Sequence, residues 1–299
     1  MSDVIDTGTE DLLAEIDRGV AVIILNRPSR RNAFSGAMLR ALGDVLARVE
    51  TDSAVGSVLL SGAGGAFSAG GDVKGFAARS DSGGAPGGGA PGGGGQGGGG
   101  QGGGPPGGGV LAGFDQAVHA QRLDQRRTSG RLYHMPKPTV AALPGPAAGA
   151  GLALALACDL RMASSTAFLT TAFANVGFSG DYGGTWFMSR LLGEAKTKEL
   201  YFLSERVGAE EAARLGLVNW VVPADELDAR SRELAVRLAS GPTVAYRYMK
   251  ENINRAALAE LGDCMDLEVT HHVRCSYTED HREAARAFVD KRAPEFHGR

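Results

Sequence analysis

Phe67-Ser68-Ala69-Gly70-Gly71-Asp72 and Gly145-Pro146-Ala147-Ala148-Gly149-Ala150-Gly151 are the two stretches on which the reading of this chain turns. Each follows a short apolar run, residues 55–61 for the first and residues 139–143 for the second, and the second leads into a small-residue helical segment. Small residues let a ligand approach the backbone closely, and free N–H groups at a helix start favour negative charge. Two such turns brought together could hold a developing oxyanion. Either turn alone is also what a tight strand-to-helix connection requires.

Outward from these turns, strand and helix patterns alternate. Residues 20–26 (V-A-V-I-I-L-N) read as a buried strand stopped at Arg27-Pro28. Met38, Leu39, Leu42, Val45, Leu46 and Val49 recur at helical spacing, with Ser35 as N-cap. Residues 110–134 predict a helix stopped by Pro136 and Pro138, and residues 159–163 another strand. From Lys196 onward the pattern is mostly helical, with one strand-like run at 217–222. The alternation means an α/β fold followed by a helical tail.

The chain has 299 residues, 45 of them glycine, and 19 of those glycines fall within residues 83–109. This block has few side chains to bury and a large ordering cost, so the expectation is a disordered loop. It lacks both the Gly-X-Y period of collagen and the fixed spacing of a phosphate cradle. With a net charge of −3 the chain has no global attraction for nucleic acid. No apolar run is long enough to predict a membrane span, and the acidic N-terminus is unlike a signal peptide. Cys158, Cys264 and Cys275 lack metal-ligand spacing, so no metal site is expected. The reading is a reduced, cytoplasmic protein with no nucleic-acid or membrane partner.

The order of several motifs is more specific than any one of them. Leu25-Asn26-Arg27-Pro28, Asn32-Ala33-Phe34-Ser35, residues 67–74, residues 145–151, Cys158-Asp159-Leu160-Arg161, Gly183-Gly184-Thr185 and Arg190-Leu191-Leu192-Gly193 occur in that sequence. Ala212-Ala213-Arg214-Leu215-Gly216-Leu217-Val218 and residues 279–296 complete the set. Together they resemble the enoyl-CoA hydratase/isomerase (crotonase) superfamily over the whole chain except the glycine block. The resemblance implies a crotonase-like spiral of repeated β-β-α units in residues 1–200, interrupted by the glycine-rich loop at 81–109. It implies a C-terminal helical region, 201–299, that completes the site and forms a homotrimer or a dimer of trimers. It also implies an acyl-CoA thioester substrate, with coenzyme A arriving as part of the substrate and no cofactor bound permanently.

In the family two backbone amides polarise the thioester carbonyl. The matching residues are Gly71 and Ala150, where alanine keeps the N–H but narrows the space that glycine usually leaves. Ala69, Asp72, Val73 and Lys74 match positions lining the adenine and pantetheine of CoA, and Arg27, Arg31 and Ala33 match the approach to its nucleotide. Phe288 and Lys291 match a C-terminal pair that reaches CoA on a neighbouring subunit. Each arginine also reads as ordinary surface charge, Asp72 as a residue that starts a helix, and His119 as a solvated helix histidine.

The hydratases of the family use two glutamates. The matching places are Ala153, three residues after the second amide, and the neighbourhood of Phe173, so neither acid is present. Asp181, in the glycine-rich approach to the next helix, is the acid left in a suitable place. It resembles the single aspartate of crotonase-type isomerases of phenylacetate breakdown, and it also reads as a helix N-cap. The implied function is a thioester-enolate enzyme, an enoyl-CoA double-bond isomerase with Asp181 as acid/base. An atypical hydratase, a C–C bond hydrolase and a non-catalytic CoA-binding subunit are the alternatives.

Overall fold

The computed structural model describes residues 2–72 and 108–299. Val73, Lys74 and the glycine block up to residue 107 lie outside the described residues. Among those described, the chain forms β1 (Asp3–Ile5), β2 (Leu12–Asp17), β3 (Val20–Leu25), α1 (Gly36–Thr51) and β4 (Ser57–Gly62). After the gap come α2 (Gly108–Gln125), a π-turn (Arg126–Gly130), α3 (Arg131–His134), β5 (Thr139–Leu143), β6 (Ala147–Ala148) and α4 (Ala150–Leu156). The remainder is β7 (Leu160–Ser164), β8 (Phe168–Thr170), α5 (Gly184–Leu203), β9 (Val207–Gly208), α6 (Ala209–Arg214), β10 (Trp220–Val222) and four helices. These are α7 (Leu227–Ala239), α8 (Thr243–Ala256), α9 (Leu261–Ser276) and α10 (Glu279–Asp290).

The main sheet has the order β1-β2-β3-β4-β5-β7-β10, antiparallel across β1–β2–β3 and parallel from β3 onward. A smaller sheet, β6-β8-β9, stands beside it. The near-continuous apolar runs of β3, β4 and β5 follow from burial of both sheet faces. Ala21, Ile23, Leu25, Val58, Leu60, Ala141 and Leu143 face one core with Met38, Leu42 and Leu46 of α1. Val20, Val22, Leu59, Val140 and Ala142 face a second core closed by Leu234 and Ala235 of α7. The period-2 split between the two cores is what a strand geometry demands.

Ser35 caps α1 as expected, its hydroxyl accepting from the Met38 N–H at 3.0 Å. The expected helix at 110–134 is present but starts at Gly108 and is broken by the π-turn. Residues past 200 contribute β9, β10 and α7 to the sheets and cores as well as helices. No helix among the described residues is long and apolar enough to cross a membrane.

The parallel strands β3, β4 and β5 end on one edge, and the loops leaving them meet there. Ser68 bridges to Ala147, and the Ala148 N–H donates to the Ser68 carbonyl at 2.9 Å. Gly70 has φ +79°, and a Cβ there would lie 2.7 Å from the Ala148 oxygen and 3.0 Å from the Ala150 nitrogen. Gly65, with φ +75°, has open space around it. Gly65→Ala should therefore cost only left-handed backbone strain, about 1 kcal/mol, whereas Gly70→Ala adds the clash and should cost about 2–4 kcal/mol. Denaturant unfolding of the two variants checks this, and equal costs would contradict the packing described.

Candidate active site

The first turn is built so that one of its amides is left over. The Gly70 N–H donates to the Ser68 hydroxyl at 3.0 Å, and the Gly70 carbonyl accepts from the Phe34 N–H at 2.7 Å. Phe34 and Gly71 form an isolated parallel bridge. Among the described residues, the Gly71 N–H has no backbone acceptor. The second turn ends in Gly149, the N-cap of α4, at φ +52° and ψ −127°. Ala150 is the first residue of α4, so its N–H has no carbonyl within the helix to bond. Gly70 holds the two turns in contact, and the two uncommitted amides belong to that contact.

The loop after β3 packs onto the first turn and gathers five of the expected CoA-contacting residues. The Ala69 N–H donates to the Arg31 carbonyl at 2.8 Å. Arg27 donates to the Ala33 carbonyl at 2.7 Å and lies 3.5 Å from Asp72 and 3.6 Å from Asp11. Arg27 is thus a tie between two loops, while Arg31 is exposed and its guanidinium has no partner among the described residues. Asp72 ends the described segment, so the helix it was expected to start falls outside it. Phe288 is exposed on α10, which packs against α9, and Lys291 is exposed at its C-cap.

Sequence reasoning overlooked Asn32, although it lies within a quoted motif. Its side chain accepts from the Arg27 N–H at 2.8 Å and donates to the carbonyls of Ala63 and Ala66 at 2.9 and 2.8 Å. Its own carbonyl accepts from the Ser68 hydroxyl at 2.8 Å. Asn32 is fully buried at φ +55°, a conformation asparagine tolerates better than most residues. One side chain thereby locks the Arg27–Phe34 loop to the first turn.

Asp181 does not cap a helix. The N-cap of α5 is Gly183, with no side-chain capping bond, and Asp181 contributes only its carbonyl, which accepts from the Gly184 N–H at 3.0 Å. The capping reading fails because Tyr182 and Gly183 both take left-handed φ, +51° and +77°, and turn the carboxylate away from the helix start. The carboxylate's Oδ1 is buried without a hydrogen-bond partner. Its Oδ2 lies 3.5 Å from the Gln121 amide of α2. Burial pushes the Asp181 carboxyl up to about 6. Tyr182 is buried, and its ring meets Phe34 edge-on at 5.7 Å, which ties the Asp181 loop back to the Gly71 bridge.

Ala153, on α4, and Phe173, the residues at the two places expected for the hydratase glutamates, are both buried. His119 is exposed on α2, as expected. Asp159 is structural: its carboxylate accepts from the Thr139 N–H and hydroxyl and pairs with Lys250 at 2.8 Å. The arrangement offers two backbone donors for an oxyanion and one desolvated carboxylate for proton transfer.

Comparison with known proteins shows the family. The family model for enoyl-CoA hydratase/isomerase matches residues 15–86 and 112–299. The 1,2-epoxyphenylacetyl-CoA isomerase of Escherichia coli is 33% identical over 97% of this chain and 99% of its own. The short-chain-enoyl-CoA hydratase of Clostridium acetobutylicum is 31% identical over 94% of this chain and 95% of its own. Among solved structures, an enoyl-CoA hydratase from Bacillus anthracis superposes with a TM-score of 0.80 at 29% identity, covering 97% of this chain and all of the other. Sheet, C-terminal helices and motif order therefore have one explanation: the chain belongs to the enoyl-CoA hydratase/isomerase family and has the crotonase fold.

Proposed function

We propose that this chain is an enoyl-CoA double-bond isomerase with Asp181 as its acid/base. The observation that carries this reading is the desolvated Asp181 carboxylate, with one oxygen unpartnered, in a site whose two hydratase positions are Ala153 and Phe173. The thioester carbonyl oxygen accepts from the Gly71 and Ala150 N–H groups, each donor being worth about 10²–10³ in rate. Ionised Asp181 removes a proton from the α-carbon of a 3-enoyl thioester. The electron pair spreads into a dienolate held by the two amides, and protonated Asp181 returns the proton to the γ-carbon. No water is consumed, so one carboxylate is enough. A base titrating near neutrality suits a step in which the same group takes and returns a proton.

On this reading Arg31 meets the CoA nucleotide, Lys74 lines its adenine and pantetheine, and Phe288 and Lys291 reach CoA on a neighbouring subunit. The proposed assembly is a homotrimer or a dimer of trimers. Its support is an apolar stripe along α9, Leu261, Met265, Val269 and Val273, exposed together with Met249 and Ile253 of α8. Residues at i and i+4 share one helix face, and a continuous apolar face of this kind calls for a covering surface. The relative in Escherichia coli, an isomerase by name, is in keeping with the reaction class.

Incubation with a 3-enoyl-CoA should yield the conjugated isomer without mass gain, and a trans-2-enoyl-CoA should take up no water. Addition of one water would replace isomerisation with hydration. Asp181→Asn should abolish turnover while CoA binding persists, and unchanged turnover would remove Asp181 from the mechanism. Wild-type activity should rise with pH through an inflection near 6, where burial places the Asp181 carboxyl.

The same shift predicts a stability effect. A carboxyl raised by folding binds its proton more tightly in the native state, so its penalty is absent at low pH and grows as pH rises from the ordinary aspartate range through about 6. Asp181→Asn should therefore stabilise the fold by on the order of 1–3 kcal/mol at pH 8 and far less at pH 4. Thermal unfolding at the two values checks this; an equal effect at both would contradict a desolvated carboxylate.

A further inference from the structure

Tyr201 lies in the second half of α5, 17 residues after Gly184. A straight helix would separate the two by about 25 Å. Instead, a Cβ on Gly184 would stand 2.7 Å from the Tyr201 hydroxyl oxygen. The cause is Gly193, at φ +76° and ψ 168° inside α5, where the helix breaks and folds back on its own start.

The ring that arrives is accommodated by residues that give way to it. The same point on Gly184 is 3.1 Å from the Ala153 Cβ, so the Tyr201 hydroxyl stands near Ala153. A Cβ on Gly180 would lie 3.0 Å from the Tyr201 ring. The ring also stacks on Phe173, with centroids 5.8 Å apart and planes 16° from parallel. Phe173 marks the neighbourhood of the second hydratase glutamate. Gly180, Ala153 and Gly184 are small where the tyrosine needs room, and Asp181 sits between two of them in sequence.

We propose that Tyr201 is a specificity-determining wall of the acyl pocket: packed against Gly180, Gly184 and Phe173 on either side of Asp181 in sequence, its ring keeps water from Asp181. The proton that Asp181 removes then returns to the substrate instead of exchanging with solvent. This rests on Asp181 as the acid/base proposed above. Among the described residues, the titratable groups facing Asp181 are Tyr182 and Tyr201, with Asp124 of α2 acting on Tyr182. Burial, then the Asp181 charge, raises the Tyr201 phenol above its ordinary range, so it stays neutral and its ring acts by excluding solvent.

The test is a carbon-detected NMR titration of the Asp181 carboxyl, identified by its loss in Asp181→Asn. Tyr201→Ala should lower the Asp181 midpoint by roughly one pH unit as water reaches it, with a smaller fall in Tyr201→Leu. Tyr201→Phe, which keeps the ring, should leave it in place. In deuterium oxide, the isomerised product should gain more solvent deuterium with Tyr201→Ala than with wild type or Tyr201→Phe. An Asp181 midpoint unmoved in folded Tyr201→Ala or Tyr201→Leu overturns the proposal. If wild type fails to isomerise a 3-enoyl-CoA, the reaction assignment falls, while the titration still decides whether Tyr201 shields Asp181.

Discussion

The site depends on one close approach between two backbones. Gly70 stands so near Ala148 and Ala150 that no side chain fits between the turns, and this contact brings the Gly71 and Ala150 amides to the same edge of the sheet. Both turns leave the ends of parallel strands, β4 and β5, and their neighbouring strand β3 sends in the loop that locks the first turn through Asn32. In open α/β sheets the carboxyl ends of the strands are where ligands bind. The two cores on opposite sheet faces hold those strand ends in register, so packing far from the chemistry sets the separation of the two donors.

The acid is positioned by a second, strained structure. Left-handed φ at Tyr182, a non-glycine residue, costs about 1–2 kcal/mol, and the buried ring stacked edge-on to Phe34 offsets that cost. Phe34 in turn bridges to Gly71. The Asp181 loop and Gly71 are thus joined through two aromatic rings and one bridge. Deformation of either would be felt at the other, and the proposed proton transfer would need that preorganisation.

Much of the scaffold could be read from residue patterns, for identifiable reasons. The strands β3, β4 and β5 are apolar on both faces, and α1 carries both its cap and its stripe, so local pattern and tertiary burial agree. The hairpin of β1 and β2 went unread: β2 alternates Leu12, Ala14 and Ile16 with more exposed residues, but it ends in acids and lies near the sheet edge. The short strands β6, β8 and β9 are two or three residues long, and their pairing is fixed by long-range contact that no local window carries. At the site, the glycine turns and Asp181 stood out through motif order. Asn32, Gln121 and Tyr201 did not, since their roles come from a hub of loop carbonyls, a helix entering from across the glycine block, and a helix folded back at Gly193.

In the mechanism proposed above, two backbone amides and one buried carboxylate converge on an acyl thioester. A crystal structure with an unreactive thioester analogue tests it most directly. The carbonyl oxygen should lie within hydrogen-bond distance, about 2.7–3.1 Å, of both the Gly71 and Ala150 nitrogens, with Asp181 against the α- and γ-carbons. A thioester carbonyl seated away from either amide, or an Asp181 carboxylate pointing out of the acyl pocket, would contradict it.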